Sequence, residues 1–527
     1  MIFPNFKDMA TVSLSSSEGR WVMTATILAS AMAFIDGTAL NVVLPALQKS
    51  LNATGADLFW LLNAYLLILA SLILVGGSLG DKLGRKKIYM IGIFVFIAGS
   101  AACGVAPNVN ILIVCRVIQG IGGALMIPGS LSLISSSIDE KEKGKAIGTW
   151  SAVTTIVTLG GPILGGALAD AGLWRYIFFI NVPIGIIALL ILWKKVAESK
   201  EDHADPALDY PGVITIALGL ALLTFGSLRM PAVGLSNWQV YGSLSVGVLL
   251  LVMFVFIEKK SRHPMMPLHL FANKTFSGAN LLTFFLYAGL GSGMLFLSLD
   301  LVQAQGYSQL ESGLTFLPFT ILMISLARAA GSYADKVGPR LMLIVGPAMA
   351  GAGLLVLSFV GQTDGPKSYW TTFFPGILLL GLGMSLTVAP LTTAVMRSVD
   401  DQFSGTASGV NNAMTRISNV FANAIFGALA VLLFAGSLSG RLNSVKLSAG
   451  EKKAVIGQAV NLGNAKVPEG MNGQDKAVIN HAYRESFIDT YAVILRLSAG
   501  LAFLGALMTV LFIKSPPPGK TGGGISS

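Results

Sequence analysis

Long apolar runs separated by short polar islands occupy almost the whole chain. Spanning a bilayer as a helix takes about 20 consecutive apolar residues. Runs of that size fall at about 21–44, 58–79, 87–106, 110–134, 144–170 and 175–194. Two more lie at about 210–229 and 238–257, and six more at about 276–303, 309–333, 340–361, 370–394, 405–434 and 487–513. The pattern predicts an all-α membrane protein with about fourteen transmembrane helices, arranged six, two and six. The expected parts are an N-terminal segment 1–20, a six-helix bundle 21–194, a stretch 195–275 with linkers and two extra helices, a second bundle 276–513, and a tail 514–527. Within the second bundle, 435–486 forms an external loop with patchy helical periodicity. Spacer, lid and docking surface for an accessory partner are all open readings of it.

The polar islands repeat. Gly77-Ser-Leu-Gly-Asp81-Lys-Leu-Gly84-Arg85 lies between two apolar runs, and Gly331-Ser-Tyr-Ala-Asp335-Lys-Val-Gly338-Pro339-Arg340 lies between two others. Gly77, Asp81 and Gly84 map onto Gly331, Asp335 and Gly338 at one offset. Gly144-Lys-Ala146-Ile-Gly148 likewise matches Gly405-Thr-Ala407-Ser-Gly409. Two copies of such elements in one membrane chain are the mark of a duplicated, transporter-like architecture. The two central spans then read as an insertion between the halves.

Composition supports the membrane assignment: 53% of residues are hydrophobic and 12% charged, with a mean hydropathy of +0.71. Soluble domains carry roughly twice that share of charge. The net charge of +10 does not point to nucleic acid, because the cations sit in loops between apolar helices. Cationic loops stay cytoplasmic. Lys82 and Lys87, Lys141 to Lys145, Lys194 to Lys200 and Lys259 to Lys274 place both termini inside, in what is expected to be a bacterial inner membrane. Only the loop 435–486 puts several cations outside, and long external segments translocate with little regard for charge.

Charges inside apolar runs are costly unless they face a partner or water. Asp36, Arg116, Asp300, Arg416 and Arg496 are the candidates. Asp36 reads as a proton or substrate group, or as half of a structural pair. Arg116 cannot release a proton and reads as the modulator of a carboxylate, with Asp36 the candidate, or as a fixed bridge. Asp300 is near the outer end of its helix, where water can reach it. Arg416 and Arg496 could meet anionic substrate groups or lie along neighbouring helices. Gly77 would permit close helix approach, Gly84 a tight turn, and Asp81 a latch to a nearby Arg or helix end, against the plain alternative of a topogenic loop. Gly161, Pro162, Gly165 and Gly166 place small residues and a bend on one helix, for a sealing seam or for ordinary packing.

These residues carry a resemblance. The loop 77–87 resembles the signature cytoplasmic loop of the major facilitator superfamily. Phe34-Ile-Asp36-Gly-Thr38-Ala-Leu-Asn41-Val-Val-Leu-Pro45 resembles the first-helix signature of its fourteen-helix drug:proton antiporters (EmrB/QacA type). Arg116-Val-Ile-Gln119-Gly120 resembles the proton-coupling motif. Gly148 with Gly161-Pro162-Ile-Leu-Gly165-Gly166 is similar to the antiporter motif, although Val157 stands where that pattern has Gly. The resemblance implies two six-helix bundles plus two inserted helices, and proton-coupled export of amphipathic compounds. The motifs and the interior charges together give Asp36, Asn41, Arg116, Gln119, Asp300 and Arg416 as candidates for the proton or substrate cavity, Asp300 and Arg416 as interior charges alone. The latch would be Gly77, Asp81, Gly84, Arg85, Asp335, Gly338 and Arg340, and the helix seam Gly148, Gly161, Pro162, Gly165 and Gly166. A dedicated exporter of a metabolite, siderophore or lipid is the main alternative; an uptake symporter and a non-transporting receptor are others.

Small-molecule substrate, protons and lipid are thus the expected partners, with no cofactor and no metal. Cys103 and Cys115 lie in apolar runs as small hydrophobes, and His203, His263, His269 and His481 lack metal-ligand spacing. Lys514-Ser-Pro-Pro-Pro-Gly519-Lys520-Thr521 echoes a phosphate loop, but it has no preceding strand. No nucleophile and base stand at workable spacing, so no enzyme is expected.

Overall fold

The computed structural model describes residues 12–198, 209–262, 264, 266, 268–399, 404–443, 445, 447–468 and 471–513. The expected tail 514–527, with its phosphate-loop echo, lies outside them, as do His203 and His263. Among the described residues the regular structure is helical, apart from one isolated bridge between Val12 and Ile138.

Among the described residues seventeen α-helices follow in order. The first seven are α1 Ser17–Leu51, α2 Gly55–Leu83, α3 Arg85–Val105, α4 Val109–Ser137, α5 Glu140–Asp170, the short α6 Tyr176–Phe179 and α7 Asn181–Lys195. Next come α8 Tyr210–Val233 and α9 Trp238–Lys260. The rest are α10 Lys274–Gln303, the short α11 Gln309–Leu314, α12 Leu317–Val337, α13 Arg340–Leu357, α14 Phe373–Met396, α15 Ser404–Leu442, α16 Ala449–Gly457 and α17 Gly473–Phe512. Among the described residues thirteen spans are long and apolar enough to cross a membrane. With α5, which contains the apolar stretch Ile156–Asp170, they fill the fourteen expected places.

Short connections force up-and-down threading, and their polar residues close the helix ends. Ser16 caps α1 by accepting from the Gly19 amide, and Thr54 and Asp57 form a reciprocal capping box on α2. Gly84 and Gly338 end α2 and α12 at φ 111° and 99°, a conformation that disfavours any side chain. One face therefore carries the turns at Gly84 and Gly338 and the start of α1; we call it the near face. The far face carries Leu51, Gln303 and the described residues between Leu442 and Gly473.

Helices α1 to α7 pack mainly on one another, as do α10 to α17, while α8 and α9 form a hairpin against α15 and α2. The two inserted helices thus flank the bundles at their edge. Two boundaries differ from the hydropathy pattern. The expected external loop 435–486 is largely helix: α15 continues to Leu442, and α17 begins at Gly473, well before its apolar portion. Among the described residues between them, α16 and a 3₁₀ turn over Gln458–Asn464 form separate short pieces. Helices keep their internal hydrogen bonds in water, so they need not stop where lipid does.

Candidate functional site: a buried ion pair between two bundles

Asp36 on α1 and Arg116 on α4 meet in the first bundle, each 1% exposed. Arg116 Nη1 lies 2.5 Å from Asp36 Oδ2. Gln119, one turn along α4, donates from Nε2 to Asp36 Oδ1 at 2.9 Å and accepts from Arg116 Nη1 at 2.7 Å. Spacing of three residues puts Arg116 and Gln119 on the same face of α4. Tyr65 of α2 closes the cluster, its ring 4.3 Å from the guanidinium carbon. Both carboxylate oxygens are therefore bonded, which is what a desolvated charge requires. The two charges compensate each other, so losing the Asp36 carboxylate would leave Arg116 without its counter-charge.

Asp36 also sits on the helix that joins the bundles. Two residues on, the Thr38 hydroxyl donates to the Thr158 carbonyl of α5 at 3.0 Å. Gly161 and Gly165 press against α1 so closely that an added Cβ would lie 2.0 Å from Thr38 Oγ1 and 2.7 Å from the Ala39 carbonyl. The Asn41 carbonyl accepts from Ser298 of α10 at 3.3 Å. At the far end of α1, buried Gln48 takes Gln303 of α10 at 3.1 Å, Asn464 at 2.8 Å and the Asn461 carbonyl at 3.1 Å. The segment 458–464 thus ties both bundles together, with Leu462 at φ 51° and buried.

The far ends of α5 and α11 form a second seam. A Cβ on Gly166 would lie 2.4 Å from the Gln309 carbonyl, and one on Gly313 would lie 2.4 Å from the Pro162 carbonyl. Asp170 then accepts from the Gln309 and Leu310 amides, both at 2.8 Å, capping a helix of the opposite bundle. Among the described residues, the hydrogen bonds between bundles gather at this face.

The other expected site residues are dispersed. Asp300 is fully buried on α10 but pairs with Gln305 at 3.1 Å, which is held by the Gly361 carbonyl and Thr363 after α13, apart from Asp36. Nearby Tyr307, in the loop after α10, has its hydroxyl pushed up to about 12 by burial, with Glu311 and Asp300 adding to the shift. Arg416 is half-buried on α15, and Arg496 is exposed, its guanidinium carbon 5.3 Å from the Phe359 ring. The side chains of Asp81 and Asp335, and Gly148, lie outside what is described. A Cβ added at Gly77 would make an ordinary 3.7 Å contact with Pro128 of α4, whereas one added at the preceding Gly76 would lie 2.1 Å from the Ala124 carbonyl, so the tighter approach to α4 is at Gly76. Glu198, which drew no attention in the sequence, accepts from the Lys86 and Lys87 amides at 2.9 and 3.0 Å and so caps α3 beside Gly84. Arg340 donates to the Val510 carbonyl at 3.3 Å. Among the described residues no cluster of three or more His, Cys, Asp or Glu could hold a metal ion.

The family model described as Major Facilitator Superfamily matches residues 26–423, which include most of α1, the Asp36 cluster and the near-face turns at Gly84 and Gly338. The chain belongs to the Major Facilitator Superfamily. Among superfamily members, it is 28% identical over 513 residues to the tetracenomycin C resistance and export protein of Streptomyces glaucescens, covering 97% of this chain and 95% of that one. It is 32% identical over 424 residues to the multidrug resistance protein Stp of Mycobacterium tuberculosis, covering 80% and 77%. The multidrug transporter protein MdtP of Bacillus subtilis matches at 30% over 412 residues, covering 77% and 74%. An inward-facing bacterial homologue of the human lysosomal transporter Spinster superimposes with a TM-score of 0.63 at 18% identity, over 95% of this chain and 100% of the other. The xylose transporter XylE of E. coli gives 0.56 at 14% identity, over 94% and 97%. These two likenesses establish the superfamily's fold for this multi-pass membrane protein.

Proposed function

We propose that the protein exports amphipathic small molecules in exchange for protons, by alternating access, with Asp36 as the proton site. The observation that carries this reading is the Asp36–Arg116–Gln119 cluster: a carboxylate whose charge state governs a buried pair. Lying on α1, it shares a rigid helix with the contacts at Asn41 and Gln48 that close the far face. The names of the relatives, which concern drug resistance and export, support the direction of transport.

The cation-rich near face is assigned to the cytoplasm of a bacterial inner membrane. The far face, held by Gln48, Asp170 and segment 458–464, is then the closed outer side, and the arrangement is inward-facing. Substrate enters from the cytoplasm while Asp36 is ionised. A proton arriving from outside in the alternate state cancels the anion and resets the bundles. Energy comes from the proton gradient, and no covalent step is required of the protein.

Purified protein in proteoliposomes, with an imposed pH gradient and a panel of amphipathic compounds, tests the reading. Movement of a compound against its gradient, driven by the pH difference and matched by proton counterflow, is expected. Flux indifferent to the pH difference for every compound would contradict it.

A further inference from the structure

We propose that Arg416 anchors an acidic group on the substrate, so that the preferred compounds carry a carboxylate on an aromatic body; this rests on the export reading above. Arg416 is twelve residues beyond Ser404, the start of α15, which is about 18 Å along the helix at its 1.5 Å rise and so close to mid-membrane. A guanidinium cannot shed its charge, and at that depth it costs several kcal/mol unless something compensates it. The two deep arginines are treated differently by the fold. Arg116 has Asp36 and Gln119. Arg416 has neither a carboxylate nor a hydrogen bond among the described residues.

Its surroundings place it between the bundles. Tyr65 of α2 and Tyr287 of α10, one from each bundle, are within electrostatic reach of its charge. Tyr65 is also the residue that covers Arg116, so Arg416 approaches the Asp36 cluster from the opposite bundle. Ala413, one turn before it, packs into the apolar cluster that includes Tyr65 and Leu69. Asn412, Arg416, Asn419 and Asn423 recur at spacings of four, three and four, a single polar face on α15. Asn419 has its buried Oδ1 without a partner. Asp36, the carboxylate in this region, has both oxygens already committed.

Among the described residues Arg416 is therefore a deep positive charge without a counter-charge, on a helix face that also carries Asn412, Asn419 and Asn423. A carboxylate suits it in both charge and shape, since a guanidinium binds one through two parallel hydrogen bonds. Tyr287, partly exposed, supplies surface for an aromatic body. A cationic amphiphile would instead meet like charge.

A matched pair of probes tests the assignment: a naphthyl carboxylic acid and its methyl ester, at a pH where the acid is ionised. Binding to the full-length protein in detergent is read by tryptophan fluorescence, and flux is read in proteoliposomes. Wild type should bind the acid about tenfold more tightly than the ester, as expected for one hydrogen bond to a charged group. Arg416→Gln should abolish that preference by weakening the acid alone, with ester binding unchanged as proof of folding, and Arg416→Lys should restore part of it. Equal binding of acid and ester by wild type would overturn the assignment, as would loss or retention of both probes together in Arg416→Gln. Acid preference without pH-driven flux would leave Arg416 in place and reject the export reading. Flux without acid preference would do the reverse.

Discussion

Asp36 and Arg116, eighty residues apart in sequence, share a 2.5 Å contact inside the first bundle, with Gln119 holding the second carboxylate oxygen. Removing one partner of a buried pair strands the other charge and costs about 3–5 kcal/mol. Arg116→Gln should therefore lower the thermal unfolding temperature in detergent markedly. Asp36→Asn combined with Arg116→Gln should cost less than the two single changes added, since neither charge is then left alone.

Asp170 caps α11 across the bundle interface with two 2.8 Å bonds. Asp170→Asn keeps the shape but loses the charge, and a hydrogen bond to a charged group is worth about 1.5–3 kcal/mol. The far-closed state should lose about tenfold or more in population. Distances between spin labels at the far ends of α5 and α12 should show a longer component in the variant.

Glycines on α5 separate packing from mere flexibility. Gly166 faces the Gln309 carbonyl with no room for a Cβ, whereas Gly160 has open space around it. Gly166→Val should prevent far-face closure and uncouple or abolish transport. Gly160→Ala should leave transport intact. Flux and proton leak measured on both variants check the contrast.

Gln48 serves Gln303, Asn464 and the Asn461 carbonyl at once. Gln48→Ala leaves those groups unpaired beneath segment 458–464, while Leu462 there already holds a positive φ that non-glycine residues rarely adopt. Amide exchange across 458–464 should speed up in the variant, with exchange in α3 and α13 unchanged.

Much of this architecture could be read from the chain, because lipid imposes its own length rule: each crossing shows as about 20 apolar residues, and each interior charge stands out against them. Asp36 and Arg116 were legible for that reason, Gln119 only through the resemblance of its motif, and Gly84 because its turn needs a glycine. The far-face machinery was not. Gln48, Asp170 and segment 458–464 lie where helices pass into water, and a polar residue there looks like any loop residue. Hydropathy also ends before helicity does, which hid the first turns of α17 and the last of α15. Tyr65 escaped notice because an aromatic in an apolar helix carries no signal of the arginine beneath it. The two candidates Asp300 and Asp36 looked alike in sequence, yet tertiary packing gave one an arginine and the other only Gln305.

In the proposed cycle the charge on Asp36 couples proton movement to substrate movement. The most direct measurement compares wild type with Asp36→Asn in proteoliposomes, reading pH-driven accumulation and gradient-free substrate exchange on the same preparation. The account predicts that accumulation is lost in Asp36→Asn while exchange persists; accumulation at the wild-type rate in the variant would contradict it.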